Sequence, residues 1–318
     1  MQTTFLRLLA IAVTACGMLG HAWAQTIPTR GPYAYLVHSS TAITKVLNVP
    51  FSTRSNPLKT HFTTSLRKDL ELTQDTLTLE LDVYMPPTAT AATRQPLVVW
   101  VHSGNLVKGA KEENADKLLS YSRAGYVAAA VNYRMNKTTP KTPTDIQGAH
   151  TRAMEDVANA VRYLRVNAAT YGIDPTRVAV LGISSGGTLS MMMATDSETL
   201  VGAINDFPGV SAKTDAAVST GATFVQPTYN AFTFLTTEED DTDVLLFHAN
   251  PTDRSTKATW EGNAVPTCNW ISSSGNVCQL VAQPDMTHTV NLNVGPSEFW
   301  PYVREFLWFR LRLDEISK

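Results

Sequence analysis

The chain has 318 residues, of which 43% are hydrophobic and 17% charged, with a formal net charge of −2. This is the composition of an ordinary globular protein. The near-neutral charge argues against nucleic acid or an anionic membrane as a partner.

Residues 1–24 read as a secretory leader. Arg7 supplies a short positive region, residues 8–15 are apolar, and Ala22-Trp23-Ala24 forms a small-x-small cleavage site before Gln25. The apolar run is short, and Gly17, Gly20 and His21 break it, so it suits a leader better than a membrane span. Val13-Thr14-Ala15-Cys16 also resembles a lipobox, in which Cys16 would be acylated and become the mature N-terminus. That alternative ranks second because residues 17–21 are not a polar tether. The expected location is therefore secreted or periplasmic, with no stable membrane insertion unless Cys16 carries lipid.

Residues 25–70 are polar and weakly periodic, and are expected to form an N-terminal extension with one or two short strands. Residues 71–318 are long enough for one large α/β domain. Residues 76–84 alternate, with Leu77, Leu79, Leu81 and Val83 on one side, which predicts a half-exposed strand. Residues 96–101 form a continuous apolar run, as for a strand covered on both faces. A helix over 115–123 and a buried strand over 127–132 follow. In 143–169, Ile146, Ala149, Ala153, Val157, Val161 and Leu164 recur every three or four residues, the stripe of a long helix. Gly172 stops it, and a strand over 178–182 begins after Asp174-Pro175. Further strands are expected at 201–205, 244–248 and 277–281, and a closing helix at 299–313. Alternating strands and helices imply a mostly parallel sheet with helices on both faces. Residues 211–240 interrupt the rhythm. They carry Phe224, Tyr229, Phe232 and Phe234 and read equally as a cap over a cleft or as a surface excursion packed on the core.

Residues 178–187, Val-Ala-Val-Leu-Gly-Ile-Ser-Ser-Gly-Gly, are the most informative stretch. A serine two residues from a glycine on each side, between a strand and a helix, fits a sharp turn that lifts the hydroxyl above the sheet edge. The glycines relieve the crowding of so tight a bend. Ser184 holds the required register, and Ser185 does not. Two cysteines, Cys268 and Cys278, remain beyond the leader, separated by a loop containing Ser272-Ser273-Ser274-Gly275. An exported chain suggests a disulfide between them, the alternative being two buried thiols. Two thiols without a nearby histidine do not make a zinc site, and no metal or cofactor is implied.

Several further segments carry a resemblance. Leu81-Asp82-Val83-Tyr84, Val98-Val99-Trp100-Val101-His102, Ala130-Val131-Asn132-Tyr133-Arg134, the run from Asp156 to Leu164 and the run from Tyr171 to Val180 follow in order at suitable spacing. The chain resembles secreted bacterial carboxylesterases of the α/β-hydrolase superfamily, near the hormone-sensitive-lipase, acetyl-esterase and feruloyl-esterase types. The match is dense over 76–195 and thin in the last third. It implies an α/β-hydrolase fold and a triad in the chain order serine, acid, histidine. Ser184 then becomes the nucleophile and His288, in a loop before the closing helix, its base. Asp253 becomes the acid, just past the strand ending at 248. Relatives often place the aspartate four residues after His248, where this chain has Thr252, so Asp285 is a rival. Asp241 and Asp243 precede the strand and belong at its other end. His248 reads as a structural strand-end residue, while His38, His61, His102 and His150 precede Ser184 and break the order.

The same resemblance sets His102-Ser103-Gly104-Asn105 in the place of a His-Gly-Gly-Gly loop. The amides of Gly104 and Asn105, with that of Ser185, would then hold an oxyanion. The implied activity is hydrolysis of small-molecule carboxylic esters through an acyl-enzyme. Two other readings stay open: a binding protein on a hydrolase fold that has lost activity, and a secreted serine peptidase.

Overall fold

The computed structural model describes residues 27–65, 68–198, 204–227, 229–236, 242–283 and 285–317. The expected leader and Cys16 lie outside them. In chain order the elements are β1 (Thr44–Ser55), α1 (Lys68–Thr73), β2 (Thr76–Met85), β3 (Gln95–Val101), α2 (Ala115–Arg123), β4 (Val127–Val131), α3 (Pro143–Val166), α4 (Ala168–Tyr171), β5 (Ile173–Ile183) and α5 (Ser185–Thr195). Then come β6 (Ala216–Thr220), β7 (Val225–Gln226), β8 (Tyr229–Asn230), β9 (Asp243–Ala249), α6 (Val265–Ser273), β10 (Cys278–Gln283) and α7 (Trp300–Arg310).

Eight strands form one sheet in the order β1-β2-β4-β3-β5-β6-β9-β10. The β1/β2 and β2/β4 pairs are antiparallel, and the rest are parallel. All seven residues of β3 are buried, as a strand covered on both faces requires. One apolar layer packs the α3 and α5 side of the sheet, including Met154, Leu164 and Met191–Met193. The other packs the α2 and α7 side, where Tyr121 meets Trp100 and Trp300 edge to face at 5.7 and 5.8 Å.

Helix α3 starts where its sequence says it should. Thr142 caps it by accepting from the Asp145 amide, and Pro143 occupies the first turn, where a missing N–H costs nothing. The expected stripe from Ile146 to Leu164 is buried. Gly172 ends α4 in a left-handed conformation (φ 63°), with the backbone of Ala89 and Thr90 against it where a side chain would stand.

Two expectations change. The strand between β5 and β9 is β6, at 216–220, and not 201–205. Of the latter, 201–203 lie outside the described residues and 204–205 have no regular structure. The sequence of β6, Ala-Ala-Val-Ser-Thr, is weakly apolar because α5 approaches it closely. A Cβ on Gly187 would stand 2.7 Å from Ser219 Oγ, so small side chains are needed here. The second change is in the extension. Residues 44–55 form the first strand of the main sheet, and Arg54 at its end reaches Asp156 on α3 at 3.3 Å. The pairing of β1 with β2 shifts register between Val46 and Val49 and again between Pro50 and Ser52. Each shift breaks the two-residue alternation that would have revealed a strand.

Candidate active site

Ser184 sits where β5 meets α5, with φ 55° and ψ −122°. A non-glycine residue rarely occupies this region, and the surrounding backbone must hold it there. The flanking glycines are what let the backbone do so. A Cβ on Gly182 would collide with the Gly186 carbonyl, and one on Gly186 would lie 2.6 Å from the His102 carbonyl oxygen at the end of β3. The Ser184 amide donates to the Thr220 carbonyl at 2.9 Å, which ties the turn to β6.

His288 Nε2 lies 3.0 Å from Ser184 Oγ, and His288 Nδ1 lies 2.6 Å from Asp253 Oδ2. Both are within hydrogen-bond range. Asp253 is fully buried. Its other oxygen, Oδ1, accepts from the amides of Ser255 (2.7 Å) and Thr256 (3.2 Å). Burial alone would raise its pKa. The bonds from His288 and the two amides outweigh that and hold the carboxyl below its ordinary range. The carboxyl therefore stays ionised and, as an acceptor only, takes the Nδ1–H of His288. β9 runs on to Ala249, one residue past the expected end, and Asp253 follows it after three residues.

The rivals are placed elsewhere. Asp285 is exposed and accepts from the amide and hydroxyl of Thr287, so it closes its own turn. Asp243 opens β9 at the far end of the sheet, and Asp241 lies outside the described residues. His248 is buried at the end of β9, with Nδ1 on the Ala249 carbonyl at 2.9 Å. Burial lowers its pKa. Ser185 Oγ engages the Asn105 amide.

The loop after β3 is tightly constrained. His102 stacks on Tyr133 at 4.1 Å, and its Nδ1–H donates to the Ser103 carbonyl at 2.8 Å. Burial pushes its pKa down to about 4, so it is neutral. Gly104, Asn105 and Leu106 all have positive φ (122°, 56° and 59°), and a side chain at Gly104 would collide with the Lys108 carbonyl. Of the three amides expected at an oxyanion, that of Asn105 already donates to Ser185 Oγ at 3.0 Å. Those of Gly104 and Ser185 have no acceptor among the described residues. The Asn105 side-chain amide donates to Thr139 Oγ1 at 3.3 Å.

A cleft of about 700 Å³ opens over Ser184 and His288. Its wall includes Leu106, Ile146, His150, Thr188, Gln226 and Tyr229. Within 211–240, Gln226 and Tyr229 line the cleft. The β7–β8 hairpin that carries them faces the cleft, while Phe224 and Phe232 pack on Trp270 at 5.4 and 5.5 Å. His150 on the cleft wall was passed over in the sequence because it precedes the serine. It packs against the rings of Tyr229 and Phe234, donates from Nδ1 to the Ile146 carbonyl at 2.8 Å, and is kept neutral by burial. The fact that it lies on α3 one helical turn after Ile146 was the available signal. Cys268 and Cys278 are joined in a disulfide, with Cα atoms 5.3 Å apart.

The BD-FAE family model matches residues 81–264, more than half of the chain. The chain belongs to the BD-FAE family. Among curated proteins it is similar to carboxylesterase 3B of Mus musculus, 31% identical over 123 residues (38% of this chain and 21% of that protein). It is similar also to carboxylesterase 3 of Homo sapiens, 32% identical over 112 residues (35% and 19%). The match spans about a fifth of the length of these relatives. Among solved structures, the apo form of Thermogutta terrifontis esterase 2 superposes with a TM-score of 0.56 at 20% identity, covering 76% of this chain and 92% of that one. The native structure of the same esterase gives 0.55 at 17% identity, covering 84% and 90%. At these identities the likeness establishes the fold, and this BD-FAE protein has the α/β-hydrolase fold. No helix among its described residues is long and apolar enough to cross a membrane.

Proposed function

We propose that this BD-FAE protein is a serine hydrolase of small carboxylic esters that works through an acyl-enzyme. The observation that carries the reading is the continuous chain of contacts from Asp253 through His288 to Ser184, at 2.6 and 3.0 Å. Ser184 Oγ attacks the ester carbonyl carbon while its proton passes to His288 Nε2. The carbonyl π electrons move to oxygen, and the Gly104 and Ser185 amides stabilise that charge. His288 returns its proton to the departing alkoxide, and the C–O bond breaks to release the alcohol. Water then repeats the sequence on the acyl-serine, with His288 as base, and frees the carboxylic acid. Asp253, held ionised, stabilises the imidazolium formed in both halves.

The strained Ser184 backbone and the complete contact chain favour a working hydrolase over an inactive binding protein. Ser184→Ala should reduce turnover of a short-chain p-nitrophenyl ester to background while leaving the circular dichroism spectrum unchanged. Turnover at the parent rate would remove Ser184 as nucleophile. The leader-like residues 1–24 and the Cys268–Cys278 bridge support export as part of the same proposal. Mass spectrometry of the mature protein should find Gln25 first. An acylated Cys16 would make it a lipoprotein instead.

A further inference from the structure

The residue after the nucleophile has its hydroxyl tied to the loop that faces it. The Asn105 amide donates to Ser185 Oγ at 3.0 Å. The Tyr133 hydroxyl donates to the His102 carbonyl at 3.0 Å at the other end of the same turn. The Ser185 side chain thus ties the start of α5 to the Asn105 end of the His102–Asn105 turn. An amide N–H carries a single hydrogen. While that hydrogen points at Ser185 Oγ with good geometry, it cannot also make a full-strength bond to a substrate oxygen.

We propose that the Ser185 hydroxyl occupies the Asn105 amide in the resting enzyme and withholds one oxyanion donor, so that Ser185 is a positioning residue that limits the rate of acyl transfer. The inference rests on the esterase reading above. Releasing the donor requires Ser185 to leave its rotamer well and give up its bond to Asn105. The loop itself does not depend on Ser185. The Gly104 carbonyl accepts from the Val107 and Lys108 amides at 3.1 and 3.2 Å, and the Leu106 carbonyl from the Asn136 amide at 2.7 Å. Replacing Ser185 by alanine deletes only Oγ and preserves the backbone N–H that itself serves the oxyanion. The Asn105 amide is then free for the transition state. An interaction gained mainly there raises kcat and leaves KM nearly unchanged.

The test compares kcat and KM for p-nitrophenyl acetate in the full-length protein, Ser185→Ala, Ser185→Thr and Ser184→Ala. Ser185→Ala should raise kcat about three- to tenfold, a fraction of the 10²–10³ that one full oxyanion donor is worth, with KM within about twofold. Ser185→Thr, which keeps a hydroxyl, should gain less in kcat than Ser185→Ala. Ser184-dependent turnover with an unchanged or lower kcat in a folded Ser185→Ala overturns this inference alone. Turnover indifferent to Ser184→Ala removes the esterase reading and this inference with it. Inhibition by a trifluoromethyl ketone, which forms a tetrahedral adduct, supplies a second readout. The adduct should be tighter in Ser185→Ala than in the parent, and equal or weaker inhibition also overturns the proposal. If Ser185→Ala does not fold, Ser185→Cys takes its place, since sulfur is a weak acceptor. Its kcat should then rise, and a fall or no change counts against the proposal.

Discussion

Both rims of the sheet hold acidic side chains beside a cleft, and they use them in opposite ways. At the rim formed by the carboxyl ends of the parallel strands, the buried Asp253 meets an imidazole and two amides, and among the described residues no arginine or lysine pairs with it. Backbone strain at Gly104, Asn105, Leu106 and Ser184 is concentrated beside it. At the other rim lies a cavity of about 540 Å³ lined by Arg165, Asp215, Asp243, Arg310 and Arg312 among others. There each acid faces an arginine: Asp243 with Arg310 at 2.7 Å, and Asp215 with Arg312 at 3.4 Å. The same acids also accept from the Val277 and Val178 amides, which anchors strand ends. The lesson is that a cleft lined with charge is not by itself a site. Charges that neutralise one another hold structure, whereas a buried acid held against a base and a strained hydroxyl is set up for chemistry.

The comparison is broken most decisively at the upper rim. Asp253→Asn should lower kcat on a p-nitrophenyl ester by about 10⁴-fold, because an amide no longer fixes the Nδ1–H tautomer. A loss of less than about tenfold would make the Asp253 contact structural, like those below. The largest effect at the lower rim should fall on stability. Cys278 begins β10 there, and Cys268→Ser with Cys278→Ser opens a ten-residue link. Urea denaturation should show a loss of about 2–3 kcal/mol by the loop-entropy relation, with the kcat of the folded fraction unchanged. A pH-dependent effect comes next. Because the Asp253 pKa is depressed in the folded state, its stabilisation is fully present above the ordinary carboxylate pKa of about 3.9 and fades as pH falls through the lower folded value. The stability gap between the parent and Asp253→Asn should therefore hold down to about pH 4 and narrow as the pH falls further. A constant gap would refute the assignment of that shift. The smallest effect belongs to Arg310→Ala combined with Arg312→Ala. These half-exposed pairs are worth about 0–1 kcal/mol each, so Tm should drop by about 1–4 °C and kcat should stay within about twofold. A large drop in kcat would mean that the rims are coupled.

What could be read from the sequence follows from how local each constraint is. Ser184 was legible because its turn needs Gly182 and Gly186 within five residues, and steric demands at that range leave a pattern. His288 and Asp253 were reached through chain order, which a resemblance supplies and no local pattern does. The strand at 216–220 was missed because its small residues answer to α5 packed upon it, a contact far away in sequence. The role of 44–55 was obscured by two register shifts in its pairing. The Asn105 amide illustrates a further limit. Its place in the loop was legible, but its bond to Ser185 depends on how two turns meet, and no local pattern records that.

Gly186 has a consequence that reaches beyond the turn it permits. Because its bare Cα rests against the last carbonyls of β3, the Ser184 hydroxyl and the His102–Asn105 loop are spaced by main chain pressed on main chain. The walls of the cleft, by contrast, are made of side chains such as Ile146, His150, Gln226 and Tyr229. Exchanging those would change which molecules fit while leaving the span between the Ser184 hydroxyl and the His102–Asn105 loop as it is, so on the proposed reading selectivity and chemical rate can be adjusted separately.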